Sequence, residues 1–328
     1  MRPPIARGRI ITPCEDWTLM MIKTSNHKCK APVSTKLTAP RLWFHAAIAI
    51  IAMAPAAAQS QSLTELWRVD GFTFPEAAQV LPDGRVAISD RGAGGPASDG
   101  RVALIGTDGA PIDMDWVSGL VNPFGMTTSD GLLYEVDGAV GLQVIDIASR
   151  TLLDPIPLPD AQLPNDMTAG PDGTLYVTDT AAGAVIRVRD GAADWLAPPG
   201  TTPAANGIIW SGERVIVGTM GEGLDLSDFS VDAPGGLMSV DPATGEVSVI
   251  DATRRSASVD GVADLDGRII YNDNPSGRVL ALKDGALTQI GSTAPESGAL
   301  SGAGDLLVIP QIRSGYVAAY RVEGPPSE

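Results

Sequence analysis

A short phrase recurs six times along this chain of 328 residues: a turn built on Asp or Gly, then a strand of alternating apolar residues. Three copies are PDGRVAISD from Pro82, SDGLLYEVD from Ser129 and PDGTLYVTD from Pro171. The other three are SGERVIVGT from Ser211, DLDGRIIYND from Asp264 and AGDLLVIPQ from Ala303. Their turns are spaced by 38 to 54 residues. Self-similarity at such a period marks repeated supersecondary units, and about 40 residues matches a four-stranded propeller blade.

Further strands support this reading. After each phrase comes an apolar segment usually opened by Gly, from GRVALIG at Gly100 to GYVAAYR at Gly315. In five of the six repeats another strand follows, as in TLLDPIPL from Thr151 and ALTQIGS from Ala286. Short alternating runs bounded by Gly, Asp, Pro and Asn are strand signals, and no segment sustains a 3.6-residue period. The expected fold is all-β: a six-bladed β-propeller with four antiparallel strands per blade. The sixth repeat lacks its last strand, and LTELWRV from Leu63 to Val69 is spare. That strand is expected to complete the last blade, closing the ring and removing two exposed edges. The longest interval holds Gly218 to Gly236, which reads as a long loop inside blade four, either a rim over the pocket or an extended hairpin.

The segment before the first repeat has a different character. Leu42 to Ala58 is uncharged and apolar, follows Lys36 and Arg41, and ends in three alanines. A positive flank, a short apolar run and small residues read as a secretory signal peptide cleaved near Ala58. Glu15 and Asp16 lie ahead of Met20 and Met21, so translation is expected to start at one of these methionines. Residues 1–58 are thus expected to be leader and residues 59–328 one propeller, periplasmic or secreted and monomeric. No Cys follows the apolar run to carry a lipid anchor.

Residues 59–328 hold 15 basic and 37 acidic side chains, a formal net charge of −22, with Lys283 the single lysine. Such a surface disfavours nucleic acid and anionic membranes as partners and suits solubility or cations. Both cysteines, Cys14 and Cys29, and both histidines, His27 and His45, precede residue 59. Residues 59–328 therefore contain no disulfide, no thiol nucleophile, no Ser-His triad and no imidazole ligand. Catalysis there must run on carboxylates, amides, hydroxyls or a metal bound through oxygen.

The innermost strand of a blade directs one end at the central channel, and that strand precedes the repeated turn. Counting back about eight residues from each turn gives Glu76, Pro123, Asn165, Asn206, Asp260 and Glu296. Five of these six carry side-chain oxygen. Carboxylates and amides without nitrogen or sulfur ligands describe a hard-cation site, with Ca2+ first and Mg2+, Mn2+ or Zn2+ held through oxygen as alternatives. Asn206-Gly207 and Asp260-Gly261 also read as turn dipeptides. Asp90, Asp137 and Asp179, at the ends of the repeated strands, read as hairpin hydrogen-bonders. Phe124 and Met126 offer an apolar wall or core packing.

These residues resemble a family. Pro75-Glu76 before a DGR turn, Pro164-Asn165-Asp166, Asn206-Gly207 and Asp260-Gly261 are similar, in order, to the motifs of the SMP-30/gluconolactonase/LRE-like propellers. The resemblance covers most of residues 70–322. It implies a divalent metal at the channel held at Glu76, Asn206 and Asp260, Asn165 beside metal and substrate, and hydrolysis of lactones or related esters. Gluconolactonase-like members often carry Arg two residues before the Asn-Asp pair; here Leu163 stands there. The histidine shuttles of paraoxonase-like relatives are also missing. A less polar lactone or ester is therefore expected in place of a sugar lactone.

The resulting expectation is a metal-dependent hydrolase whose metal polarises the carbonyl while water attacks. Asp260 is the expected base, with Glu296 and Asp166 as alternatives, and Asn165 and Phe124 contact substrate. The competing reading is a non-catalytic, NHL-like binding propeller with a structural calcium, since this fold serves interaction as well as catalysis. A strictosidine synthase-like condensing enzyme is a third, for which no distinguishing motif is present.

Overall fold

The computed structural model describes residues 62–93 and 99–324. The leader expected over residues 1–58 lies outside the described residues. Six four-stranded antiparallel sheets make up the fold, each following the chain from an innermost strand outward. Blade one consists of Pro75–Val80, Arg85–Asp90, Gly100–Gly106 and Pro111–Leu120. Blades two to five repeat this order, and each of these five blades is complete within one continuous stretch of chain. Blade six is assembled from both ends of the described chain: Ser301–Ala303, Leu306–Gln311 and Tyr316–Glu323 are joined by Ser62–Asp70. The last two pair antiparallel from Ser62 opposite Glu323 to Asp70 opposite Tyr316. Among the described residues the only helix is a single 3-10 turn, Asp251–Thr253, and no helix is long and apolar enough to cross a membrane.

Burial explains how the strands read in sequence. Second strands are covered on both faces by neighbouring blades, so they are almost continuously apolar; every residue of Leu175–Asp179 is buried. Outermost strands lie at the rim, and five of the six residues of Thr151–Ile156 are exposed. The cores are interfaces between blades. Ile270 and Val279 of blade five pack with Leu307 and Ile309 of blade six, all fully buried. Truncating Ile270, Leu307 or Ile309 to Ala removes roughly 2–5 kcal/mol of packing and transfer energy.

Polar staples join the innermost strands. Ser89 Oγ accepts from the Ala77 amide at 3.0 Å and donates to the Phe124 carbonyl of the next blade at 2.7 Å. Thr178 Oγ1 accepts from the Asp166 amide at 3.0 Å and donates to the Asn206 carbonyl at 2.5 Å. Asn272 Oδ1 accepts from the amides of Asp260 and Gly261, while its Nδ2 donates to Ser297 and to the Gly298 carbonyl. Each staple stands one residue before the end of a second strand, so the repeat that sets the fold also sets the spacing of the inner ring.

The long interval in blade four is an extended hairpin, one of the two readings of its sequence. Strands Arg214–Glu222 and Ala233–Val240 extend past the ends of their neighbours and pair as far as Glu222 opposite Ala233. Only the tip around Asp225–Ser230 is a loop, and it exposes Leu226 and Phe229.

Candidate active site

The start of each innermost strand is located by its partner at the end of the second strand. Pro75 lies opposite Asp90, Pro123 opposite Asp137, Pro164 opposite Asp179, Ala205 opposite Thr219 and Ser297 opposite Gln311. The next residue in each blade forms one ring at the channel end: Glu76, Phe124, Asn165, Asn206 and Gly298. By the same count blade five contributes Asp260, two residues before Val262. Glu76, Asn165, Asn206 and Asp260 are therefore brought to one level, each at most 7 % exposed.

Two expected positions are corrected. The ring residue of blade two is Phe124 and not Pro123, because Pro123 pairs with Asp137 as Pro75 and Pro164 pair with the aspartates of their own blades. In blade six it is Gly298 and not Glu296. The Glu296 side chain is about half exposed and forms an ion pair with Arg313 at 3.1 Å. Its backbone, with φ of 60°, accepts from Ile312 and donates to Asn274. Counting a fixed interval back from the turn misplaced both residues, because the turns differ in length: two residues separate the paired strands in blades two and six, and three in blades one and three. Glu296 therefore stands on the rim and not among the axial acids.

Aspartates at the ends of second strands clamp the entry to this ring. Asp90 accepts from the Phe74 amide at 2.8 Å, Asp179 from Leu163 at 3.0 Å, and Asp273 from Ser258 at 2.8 Å. Each amide lies two residues before a ring residue. Asp137 does the same through Val121 at 2.9 Å, three residues ahead of Phe124. These aspartates reach beyond their own hairpins and fix how the linker enters the next strand.

The Asn-Gly and Asp-Gly pairs are not turns. Gly207 and Gly261 are absent from the left-handed conformations, and Gly207 lies within strand Ala205–Ser211. A Cβ on Gly207 would collide with the Asp260 carbonyl oxygen. One on Gly125 would collide with Asp166. Glycine here allows neighbouring strands to approach closely enough to form a tight ring.

The ring and the residue behind it carry three carboxylates that affect one another. Burial raises the pKa of Glu76, opposed by the Arg91 guanidinium. Burial first, then the charges of Glu76 and Asp166, push Asp260 well above the usual carboxylate range. Burial carries Asp166 up to about 7, against hydrogen bonds from the Met167 and Ile208 amides. The free oxygens of these groups differ. Asp166 accepts from Met167 at 2.8 Å on Oδ1 and from Ile208 at 3.3 Å on Oδ2, so both its oxygens are engaged. Asp260 accepts from Asn274 at 2.8 Å on Oδ2, and its Oδ1 has no hydrogen bond among the described residues. Asn206 Oδ1 is buried and has no hydrogen-bond partner among the described residues. Beyond Asp166 a cavity of about 210 Å3 continues along the axis, lined by all six innermost strands and by the polar side chains of Gln79, Thr127, Thr168, Asp264 and Ser301.

Arg91, directly after Asp90, is a residue of this site that the sequence reading did not single out. Its Nη1 donates to Glu76 Oε2 at 3.3 Å and its Nε to Asn122 Oδ1 at 2.8 Å. The guanidinium lies over the rings of Phe124 and Phe74, at 4.4 and 4.9 Å from their centroids. Leu163 leaves blade three without a basic residue, but blade one supplies one. The available signal was a basic side chain at the end of a repeated phrase in a strongly acidic chain. Phe124 is buried in the core cluster with Val136, Leu142 and Met167, the core-packing reading of its sequence, and the Arg91 guanidinium lies over its ring.

Among the described residues no three His, Cys, Asp or Glu cluster closely enough to hold an ion by themselves. Glu76, Asp260, Asn165 and Asn206 combine two carboxylates with two amides, the oxygen chemistry of a hard cation. The unpartnered Asn206 Oδ1 and three carboxylates facing a single guanidinium leave this space short of positive charge. The residues fit a divalent cation.

No family model and no curated protein matches the chain by sequence. Its fold is similar to several solved structures. A gluconolactonase from Xanthomonas campestris superimposes with a TM-score of 0.59 at 18% identity, over 82% of this chain and 97% of that one. Virginiamycin B lyase from Staphylococcus aureus gives 0.54 at 12% identity, over 80% and all of that chain. A chain of a nidogen/laminin complex gives 0.53 at 12% identity, over 76% and 88%. The shared property is the propeller, which these proteins use for different ends.

Proposed function

We propose that this protein is a divalent-metal-dependent hydrolase of lactones or related esters. The observation that carries the reading is the buried axial ring of Glu76, Asn165, Asn206 and Asp260, with Asn206 Oδ1 unpartnered. The ordered resemblance of these residues to the SMP-30/gluconolactonase/LRE-like motifs and the fold shared with a gluconolactonase point the same way. Glu76, Asn206 and Asp260 would hold the metal, calcium foremost, with Asn165 beside it. A bound divalent cation supplies Lewis-acid polarisation of an ester carbonyl.

The protein's own residues perform the remaining work. Asp260 is the base, because its Oδ1 is uncommitted while both Asp166 oxygens hold backbone amides. Its Oδ1 takes a proton from water as the water oxygen bonds to the carbonyl carbon. The ring C–O bond then breaks and the proton passes to the departing alkoxide, leaving a hydroxy acid. Asn274 holds Oδ2 and orients the carboxylate. Asp166 adds negative charge that keeps the Asp260 carboxyl basic. Phe124 and Asn165 line the substrate's approach. A carboxylate base suits activated esters and strained lactones better than amides. The basic start, apolar run and small residues before position 59 support export to the periplasm or beyond, and the ring closed on its own terminal strand supports a monomer.

The test is an assay of the purified protein on lactones and aryl esters, with calcium and with chelator, beside Asp260→Ala and Asn206→Ala. Loss of turnover in chelator and in both variants supports the hydrolase. No turnover on any substrate while calcium still raises the melting temperature would instead leave a binding propeller with a structural metal.

A further inference from the structure

Arg91 is more elaborately held than charge balance at Glu76 requires. The flat guanidinium lies over two aromatic faces, which suits it and restricts its rotation. Asn122, a neutral acceptor, takes its Nε–H at 2.8 Å. One Nη1 proton goes to Glu76 over 3.3 Å, longer than the 2.7–2.9 Å of a good charged pair. The remaining three N–H groups have no partner among the described residues, and the side chain is 25% exposed. Among the described residues it is the only basic side chain bonded to a ring residue. The result is a preorganised fork with spare donors beside the proposed reacting carbonyl, in a protein whose overall charge would otherwise repel anions.

We propose that Arg91 is the substrate-anchoring residue and that it selects lactones or esters carrying a carboxylate a few bonds from the scissile carbonyl. This inference rests on the hydrolase reading and names its substrate class. The planar fork matches a carboxylate with two parallel hydrogen bonds, which an ammonium cannot reproduce. A neutral substrate would leave those donors unmatched at the mouth, and a site built to hydrogen-bond a group discriminates strongly against an analogue lacking it.

The experiment compares matched pairs with calcium present: γ-butyrolactone against its ring carboxylate, and an aryl acetate against the aryl hemisuccinate. The wild-type protein is expected to favour the carboxylated member by about tenfold or more in kcat/KM, mainly through KM. In Arg91→Gln the preference collapses toward unity, and in Arg91→Lys it is intermediate. Equal use of both members by the wild type, or an unchanged preference in the variants, overturns the proposal and leaves the hydrolase standing. Should Arg91→Gln fail to fold, Arg91→Lys decides by the same ratio. Calorimetry with glutarate, which cannot be hydrolysed, separates the two readings. Binding that depends on Arg91 without turnover of any ester sustains the anion site and removes the hydrolase. Absence of both binding and turnover removes both.

Discussion

Asn274 donates from Nδ2 to Oδ2 of Asp260 at 2.8 Å, so a loop side chain of blade five orients the carboxylate that leads into the innermost strand of the same blade. The same Nδ2 donates to the Ser297 carbonyl at 3.0 Å, which anchors it against blade six. Asn274→Ala leaves Asp260 free to rotate and removes a donor that lowers its pKa. Loss of an outer partner of a metal-site carboxylate costs about 10–100-fold in metal affinity or activity. Calcium titration by calorimetry, beside kcat on an activated ester, is expected to show a loss of that order while the melting temperature changes little.

Asn272 has the larger structural role. Its removal strips acceptors from the amides of Asp260 and Gly261 and donors from Ser297 and Gly298, all buried between two blades. Unsatisfied buried groups cost about 1–3 kcal/mol each, partly relieved by relaxation. Asn272→Leu should lower stability in urea by about 3 kcal/mol or more. Ser89→Ala, which breaks a two-bond staple, should lose about 1–2 kcal/mol.

Glu135 gives a pH dependence of defined sign. It is fully buried, its Oε1 accepts from the Phe124 amide at 2.9 Å, and its Oε2 has no partner. Burial, with the charge of Asp137 adding to it, holds its carboxyl well above the ordinary 4.5. The folded protein keeps this proton while the unfolded chain releases it, so the unfolded state binds fewer protons above that ordinary value. The stabilising contribution is complete at lower pH and is lost as pH rises toward the raised folded value. Glu135→Gln keeps an acceptor for Phe124 and removes the ionisation. Its melting temperature should exceed that of the wild type by more at pH 8 than at pH 5.

Gly207→Ala tests the close approach at the ring. The new Cβ meets the Asp260 carbonyl, which is backbone and cannot swing away. Overpacking of this kind costs about 1–3 kcal/mol. It should also displace Asp260, so chemical denaturation and calcium affinity should both register the change.

Six blades were legible because the second strands, covered on both faces, must be apolar and must end in a turn. The oxygen-bearing ring was legible in four blades, where Glu76, Asn165, Asn206 and Asp260 are polar residues at the start of apolar strands. It failed at Pro123 and Glu296 because the turn between the first two strands has two residues in those blades and three in blades one and three, and pairing with the second strand decides the register. Arg91 escaped because it belongs to a neighbouring loop and reaches the axis only through Phe74, Phe124 and Asn122. The hairpin of blade four was only one of two readings of its sequence, because its Gly-rich segments conceal pairing that depends on close backbone approach.

The pairing of Ser62 with Glu323 has a directional consequence. Tyr316 begins its strand at the channel mouth, so Glu323 and Ser62 lie together at the opposite face, joined there by a hydrogen bond of 3.0 Å. The described chain therefore begins and ends on the back of the propeller, and Ser62 and Glu323 stand near enough to be spliced, with new ends opened in any rim loop.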